Sequence, residues 1–115
     1  MIETTVETVT TPTARTITPE TPVTEAAEQL RATDVSALVV LDSETVVGVV
    51  TEGDIVALVA ETDERPAVRA IMSASVTTIT SETTVYEAAE RMRTVGVSHL
   101  PVVDDGVFRG LVSAS

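Results

Sequence analysis

Apolar residues fall at Val23, Ala26, Ala27 and Leu30, and again at Val85, Ala88, Ala89 and Met92. This i, i+3, i+4, i+7 spacing is that of one face of an α-helix. Beyond each set lie two near-continuous apolar runs, 37–41 with 46–50 and 99–103 with 107–112. The short polar turns Asp42-Ser43-Glu44-Thr45 and Asp104-Asp105-Gly106 join them. Such runs predict two hairpins whose strands are largely buried. Short β-prone pieces at 16–18 and 78–80 precede the helices, with Thr21 before Pro22 as the first helix cap and Thr83 as the second. After the first hairpin, Asp54-Ile55-Val56-Ala57-Leu58-Val59-Ala60-Glu61 predicts a further helix that Asp54 helps to cap. A polar linker follows over 62–67 and contains Pro66.

The two halves are one pattern written twice. At an offset of 62, Thr16-Ile17-Thr18 lies on Thr78-Ile79-Thr80, and Glu25-Ala26-Ala27-Glu28 on Glu87-Ala88-Ala89-Glu90. The match continues through Val35-Ser36 on Val97-Ser98 and Gly48-Val49-Val50-Thr51 on Gly110-Leu111-Val112-Ser113. A repeat of this kind organises the whole chain. It predicts a first motif over 1–61 with its lead-in, the linker 62–67, and a second motif over 68–115, together one compact module of α/β (α+β) class. The second motif stops before any counterpart of the helix at 54–61.

Composition narrows the chemistry. Aromatic residues are 2% of the 115 residues, only Tyr86 and Phe108, so the core must be aliphatic. The formal net charge is −11, and all seven basic residues are Arg. A polyanion such as nucleic acid is repelled by that field. The acidic, lysine-free composition resembles proteins of salt-loving archaea, in whose medium the Debye length shrinks to ~3 Å or less. With no cysteine, disulfides, thiolate metal sites and cysteine nucleophiles are excluded. No apolar run approaches the ~18 residues of a membrane span, and residues 1–15 lack a basic start followed by an apolar stretch. The expectation is a cytoplasmic protein without membrane insertion.

The candidate chemistry lies at Gly48-Val49-Val50-Thr51-Glu52-Gly53-Asp54, a hydroxyl and a carboxylate at a strand-to-helix junction. A hydroxyl with helix-opening amides can hold an anion, and a carboxylate three residues on can accept both hydroxyls of a ribose. On spacing alone a second reading stays open, in which Asp54 is a helix cap and Thr51 ends a strand. His99, the one histidine, reads by itself as a surface or half-buried strand residue.

Taken with the repeat and the stretch Gly96-Val97-Ser98-His99-Leu100-Pro101-Val102-Val103-Asp104, the pattern resembles the CBS-domain family over roughly residues 6–115. The resemblance implies two tandem β-α-β-β-α motifs packed about a pseudo-twofold axis, the last helix of the second copy being absent. It implies no catalysis and no required cofactor, with an adenosine nucleotide, AMP or ATP foremost, as regulatory ligand in clefts between the motifs. By position, Asp54 would bind the ribose hydroxyls, Thr51 and Ser98 would line the ribose and phosphate, and His99 would face the phosphate. Thr16, Ile17, Val97 and Pro101 would form the adenine slot.

The symmetry-related cleft, built from Thr78, Ile79, Ser113, Ser36 and Ala37, lacks both the carboxylate and a basic residue. One functional site is therefore expected. The family also implies a homodimer, with the Ile55-Val56-Leu58-Val59 stretch as a candidate interface, and a regulated enzyme or transporter. Two other readings compete: a structural or dimerising module with empty clefts, which the −11 charge favours, and a sensor of S-adenosylmethionine. An enzyme is the least favoured class, with no cysteine, one histidine, no metal-spaced cluster and no serine–base–acid arrangement near His99 that the repeat does not explain better.

Overall fold

The computed structural model describes residues 3–12, 14–32, 35–73 and 76–114. The chain forms two structural units, Arg15–Val76 and Met1–Ala14 with Thr77–Ser115.

In the first unit β1 (Thr16–Ile17) pairs parallel with β2 (Ala37–Asp42), which pairs antiparallel with β3 (Thr45–Thr51). α1 (Val23–Ala32) connects β1 to β2, and α2 (Glu52–Glu61) follows β3 directly and packs on α1. Val23, Ala26 and Leu30 from α1, Leu38 and Val40 from β2, Val50 from β3 and Leu58 from α2 form one buried cluster. The alanine on the helical face allows the close helix-to-sheet approach this requires.

The second unit repeats the plan. α3 (Val85–Val95) precedes the antiparallel pair β4 (His99–Asp104) and β5 (Val107–Ser113). Ile79 makes a single parallel bridge to Val102 instead of the strand expected over 78–80. Each hairpin carries one register shift, at Val40/Leu41 and at Val102/Val103, positions 62 apart. Both turns place two residues at positive φ, Ser43 and Glu44 in one, Asp105 and Gly106 in the other. That backbone twist matches the twist of the flanking strands.

Three local expectations change. Thr84, one residue after Thr83, is the N-cap of α3, its side chain accepting from the Glu87 amide while the Glu87 side chain reaches back. Thr21 and Thr83 instead close the preceding turns, each hydroxyl accepting from the amide three residues earlier. α2 starts at Glu52, with Thr51 as its N-cap and Asp54 at the third helical position.

The larger difference concerns the lead-ins. Residues 1–14 belong with the second copy, and residues 62–76 with the first. Val6, in a 3₁₀ turn (Val6–Val9), is fully buried in the cluster of Ile79, Ala88, Met92, Leu100, Val102 and Val112. Val68, in the matching turn (Val68–Ala70) and 62 residues later, is fully buried in the first cluster. Backbone bonds fix both: Val6 donates to the Thr83 carbonyl at 2.8 Å and Val85 to that of Thr4, while Val68 donates to the carbonyl of Thr21 at 2.8 Å. Residues 66 and 67 are tied to the start of α1, the Val23 amide donating to the Pro66 carbonyl and Pro22 bridging Ala67. Each β-α-β-β segment leaves an apolar face open, and the lead-in of the other copy closes it. The structural division therefore differs from a split into 1–61 and 68–115.

Candidate functional site

The chemistry-bearing residues stand at the sheet ends where each copy's hairpin begins and finishes. In the first unit Ala37 is register partner to Thr51, and Thr16 is partner to Val39 two residues along. Thr16, Ser36, Ala37 and Thr51 therefore share one end of the sheet, at the start of α2. Asp54 Oδ2 accepts from the Thr51 amide at 2.8 Å and from the Thr51 hydroxyl at 3.3 Å. The capping reading of these two residues is thus realised, and it holds hydroxyl and carboxylate side by side, half-buried, at a helix start. A carboxylate so placed can take further donors, which is the chemistry a vicinal diol presents.

In the second unit His99 is register partner to Ser113, and the Ala114 amide donates to the Ser98 carbonyl. Ser98, His99 and Ser113 are thus together at the matching sheet end, beside exposed Val97. His99 is half-buried, and that burial pushes its imidazole below the ordinary value, favouring the neutral form. A neutral imidazole can hydrogen-bond an anion but brings no charge to it. Exposed Thr78 flanks the bridge at Ile79.

The residues assigned to one cleft come from both units: Thr16, Ile17, Thr51 and Asp54 from the first, Val97, Ser98, His99 and Pro101 from the second. The side chains of Ile17, Ile79, Ala37 and Pro101 are buried. The Pro101 carbonyl accepts from the Ile79 amide at 3.0 Å. Position 115 lies outside the described residues.

Gly48 and Gly110, read as openings of the ligand motif, have a packing role. A Cβ on Gly48 would lie 2.8 Å from Met72 Sδ, and one on Gly110 would collide with the Thr11 carbonyl. Both glycines therefore sit where the exchanged lead-in crosses the last strand. The matching pair Val6 and Val68 signalled this in the sequence, but their flanking residues differ and mask the repeat.

One polar constellation went unread. Asp104 accepts from the Ser81 amide at 3.0 Å and the Ser81 hydroxyl at 2.7 Å, with Arg109 Nε 3.7 Å away. Chiefly those two hydrogen bonds hold its carboxyl below the usual carboxylate range. A folded-state value below the unfolded one means the bonds stabilise at neutral pH and fade as pH falls through that range. We expect Asp104→Asn to lower Tm at pH 7, with the gap to wild type closing as pH drops below ~4. A gap independent of pH in thermal melts would show that the carboxylate is not responsible.

Among the described residues no group of three or more His, Asp or Glu is placed to hold a metal ion, and no helix is long and apolar enough to cross a membrane.

Known proteins match this arrangement. The family model described as CBS domain matches residues 6–61 and 68–115. A 17.7 kDa protein from the bps2 3′ region of Acidianus ambivalens is 35% identical over 97 residues, 83% of this chain, and the match spans 59% of that relative's length. The solved CBS domain pair of protein MJ0100, in complex with 5′-methylthioadenosine and S-adenosyl-L-methionine, superposes with TM-score 0.90. It is 26% identical, with 98% of this chain and 91% of that one covered. CBSX2 in complex with AMP superposes with TM-score 0.82 at 30% identity, covering 96% and 90% of the two chains.

Proposed function

Because the chain belongs to the CBS-domain family, we propose that it is a non-catalytic regulatory module that binds an adenosine nucleotide and transmits its occupancy to a partner or through a homodimer. The observation that carries the proposal is the Thr51–Asp54 pair, a hydroxyl and a carboxylate held at a sheet end by the start of α2. Asp54 would take the ribose hydroxyls, and Thr51, Ser98 and His99 the ribose and phosphate side. Copy one has Ala37 where copy two has His99, which supports one site per chain. Solved pairs of this family with AMP, and with S-adenosyl-L-methionine and 5′-methylthioadenosine, support the ligand class.

A phosphate-free adenosine ligand such as S-adenosylmethionine is the second reading. The −11 net charge and the burial that disfavours a charged His99 favour it over a triphosphate. For a homodimer, α2 offers Val56 and Val59, 66% and 56% exposed. Leu58 and Ile55, from the same stretch, pack in the first unit's own core.

Thermal melts at matched high salt with AMP, ATP and S-adenosylmethionine test the proposal. A ligand at 100 times its Kd should add ~2.7 kcal/mol of stability. Asp54→Asn, which keeps an acceptor for the cap, should weaken that ligand at least ~tenfold. If no adenosine ligand shifts Tm, the module is structural. Two equivalent sites per chain by calorimetry would overturn the one-site reading.

A further inference from the structure

The Thr51–Asp54 pair offers a hydroxyl and a carboxylate, and the other positions assigned to the site bring it no fixed positive charge. A cation does stand at that end of the first unit's sheet. Arg15 is exposed and immediately precedes β1. Its carbonyl accepts from the Val39 amide at 3.0 Å, which fixes its backbone against β2. β1 and β2 run parallel with Thr16 beside Val39, while Ala37 on β2 is register partner to Thr51. The start of β1 therefore lies at the sheet end where β3 passes into α2. Alternation along the strand sets residue 15 on the face of Ile17, which packs in the cluster that holds Leu58 of α2. β1 and β3 flank β2, about 10 Å apart at ~4.8 Å per strand step, so a ligand touching both spans that gap.

The chain has 18 acidic residues for seven arginines, and six of the seven are engaged. Arg31, Arg69, Arg93 and Arg109 pair with Glu28, Glu20, Glu90 and Asp104. Arg65 donates to the carbonyls of Thr62 and Glu64. Arg91 acts on Glu87, whose carboxyl is lowered first by its bonds from Thr84 and then by that guanidinium. Among the described residues the Arg15 side chain alone has no acid or carbonyl partner. A guanidinium left free in so acidic a chain is available to an anion from outside. The repeat-equivalent position is Thr77, so copy two has no counterpart.

We propose that Arg15 recognises the phosphate in the nucleotide site, which thereby takes an adenosine monophosphate in preference to a phosphate-free adenosine. The inference rests on the nucleotide reading. A diol held by Asp54 leaves the 5′ carbon one sugar ring away, and a guanidinium meets a terminal phosphate with two parallel N–H···O bonds. One arginine matches one phosphate group. The further charge of a triphosphate finds no second cation there, in a chain of net charge −11.

Calorimetric titration of the intact protein with AMP and with adenosine tests this in wild type, Arg15→Gln, Arg15→Lys and Asp54→Asn. Wild type should bind AMP at least ~tenfold tighter than adenosine, the worth of a charge-assisted contact. Arg15→Gln should weaken AMP at least ~tenfold and change adenosine less than ~twofold. Arg15→Lys, which keeps the charge without the fork, should fall between. Neither change at Arg15 should move the Tm of the ligand-free protein appreciably, because no partner is lost. Asp54→Asn should weaken both ligands together, since both carry the diol. If Asp54→Asn acts on both ligands while Arg15→Gln leaves AMP unchanged, or weakens AMP and adenosine alike, Arg15 loses its role and the nucleotide site stands. A wild type that binds neither ligand sinks both readings.

Discussion

Gly110→Ala is expected to be the most damaging single-methyl change in the chain, lowering stability by about 3 kcal/mol, or roughly 10 °C in Tm for a chain of this size. Gly110 has φ +152°, a region costly to any side chain. A Cβ there would meet the Thr11 carbonyl and lie 2.7 Å from Thr10 Cγ2. The obstacle is backbone, so no rotamer change relieves it. Thr11 donates to the Leu111 carbonyl at 2.9 Å and accepts from the Leu111 amide at 3.2 Å, and moving it breaks both bonds. At the repeat-equivalent Gly48 the neighbour is the Met72 side chain, which can yield in part. Gly48→Ala should therefore cost about half as much. Gly53→Ala, in a helix with nothing closer than Thr51 Oγ1 at 3.6 Å, should raise stability by ~0.5–1 kcal/mol. Urea melts give the order directly. The argument fails if Gly110→Ala costs no more than Gly48→Ala.

Truncating the buried valines of the two lead-ins should weaken opposite copies. Val6→Ala removes two methyl groups from the cluster of Leu100, Val102 and Val112; Val68→Ala does the same among Leu38, Val40 and Val50. Each should cost about 2 kcal/mol, a roughly thirtyfold gain in amide exchange in the unit affected. For Val6→Ala the faster exchange should appear in α3, β4 and β5, sixty and more residues away in sequence. Val68→Ala should loosen α1, β2 and β3 instead. If Val6→Ala loosens the hairpin of residues 37–51, the exchange of lead-ins is wrong.

Both predictions rest on positions whose role the sequence does not display. The helices and hairpins were legible because apolar spacing in Val23–Ala32 and the paired runs of β2 and β3 are local signals. The matched order of the two copies made the family readable as well. Element edges were less so: Thr84 takes the cap from Thr83 because a capping box needs a hydroxyl and an acid three residues apart, as Thr84 has with Glu87, while Asp54 does help to cap α2, as the acid partner of Thr51. In the candidate site, Thr51 and Asp54 were identified as a pair, but their mutual hydrogen bonds depend on where β3 turns into α2.

By itself the sequence determined an aliphatic α+β protein of two like motifs. Periodicity and repetition are properties of neighbouring residues, so they survive in one dimension. Only the tertiary structure decided which lead-in closes which copy and why Gly48 and Gly110 must be glycine. Those are contacts between residues far apart in the chain, chosen by which apolar surface remains to be covered once the local elements have formed.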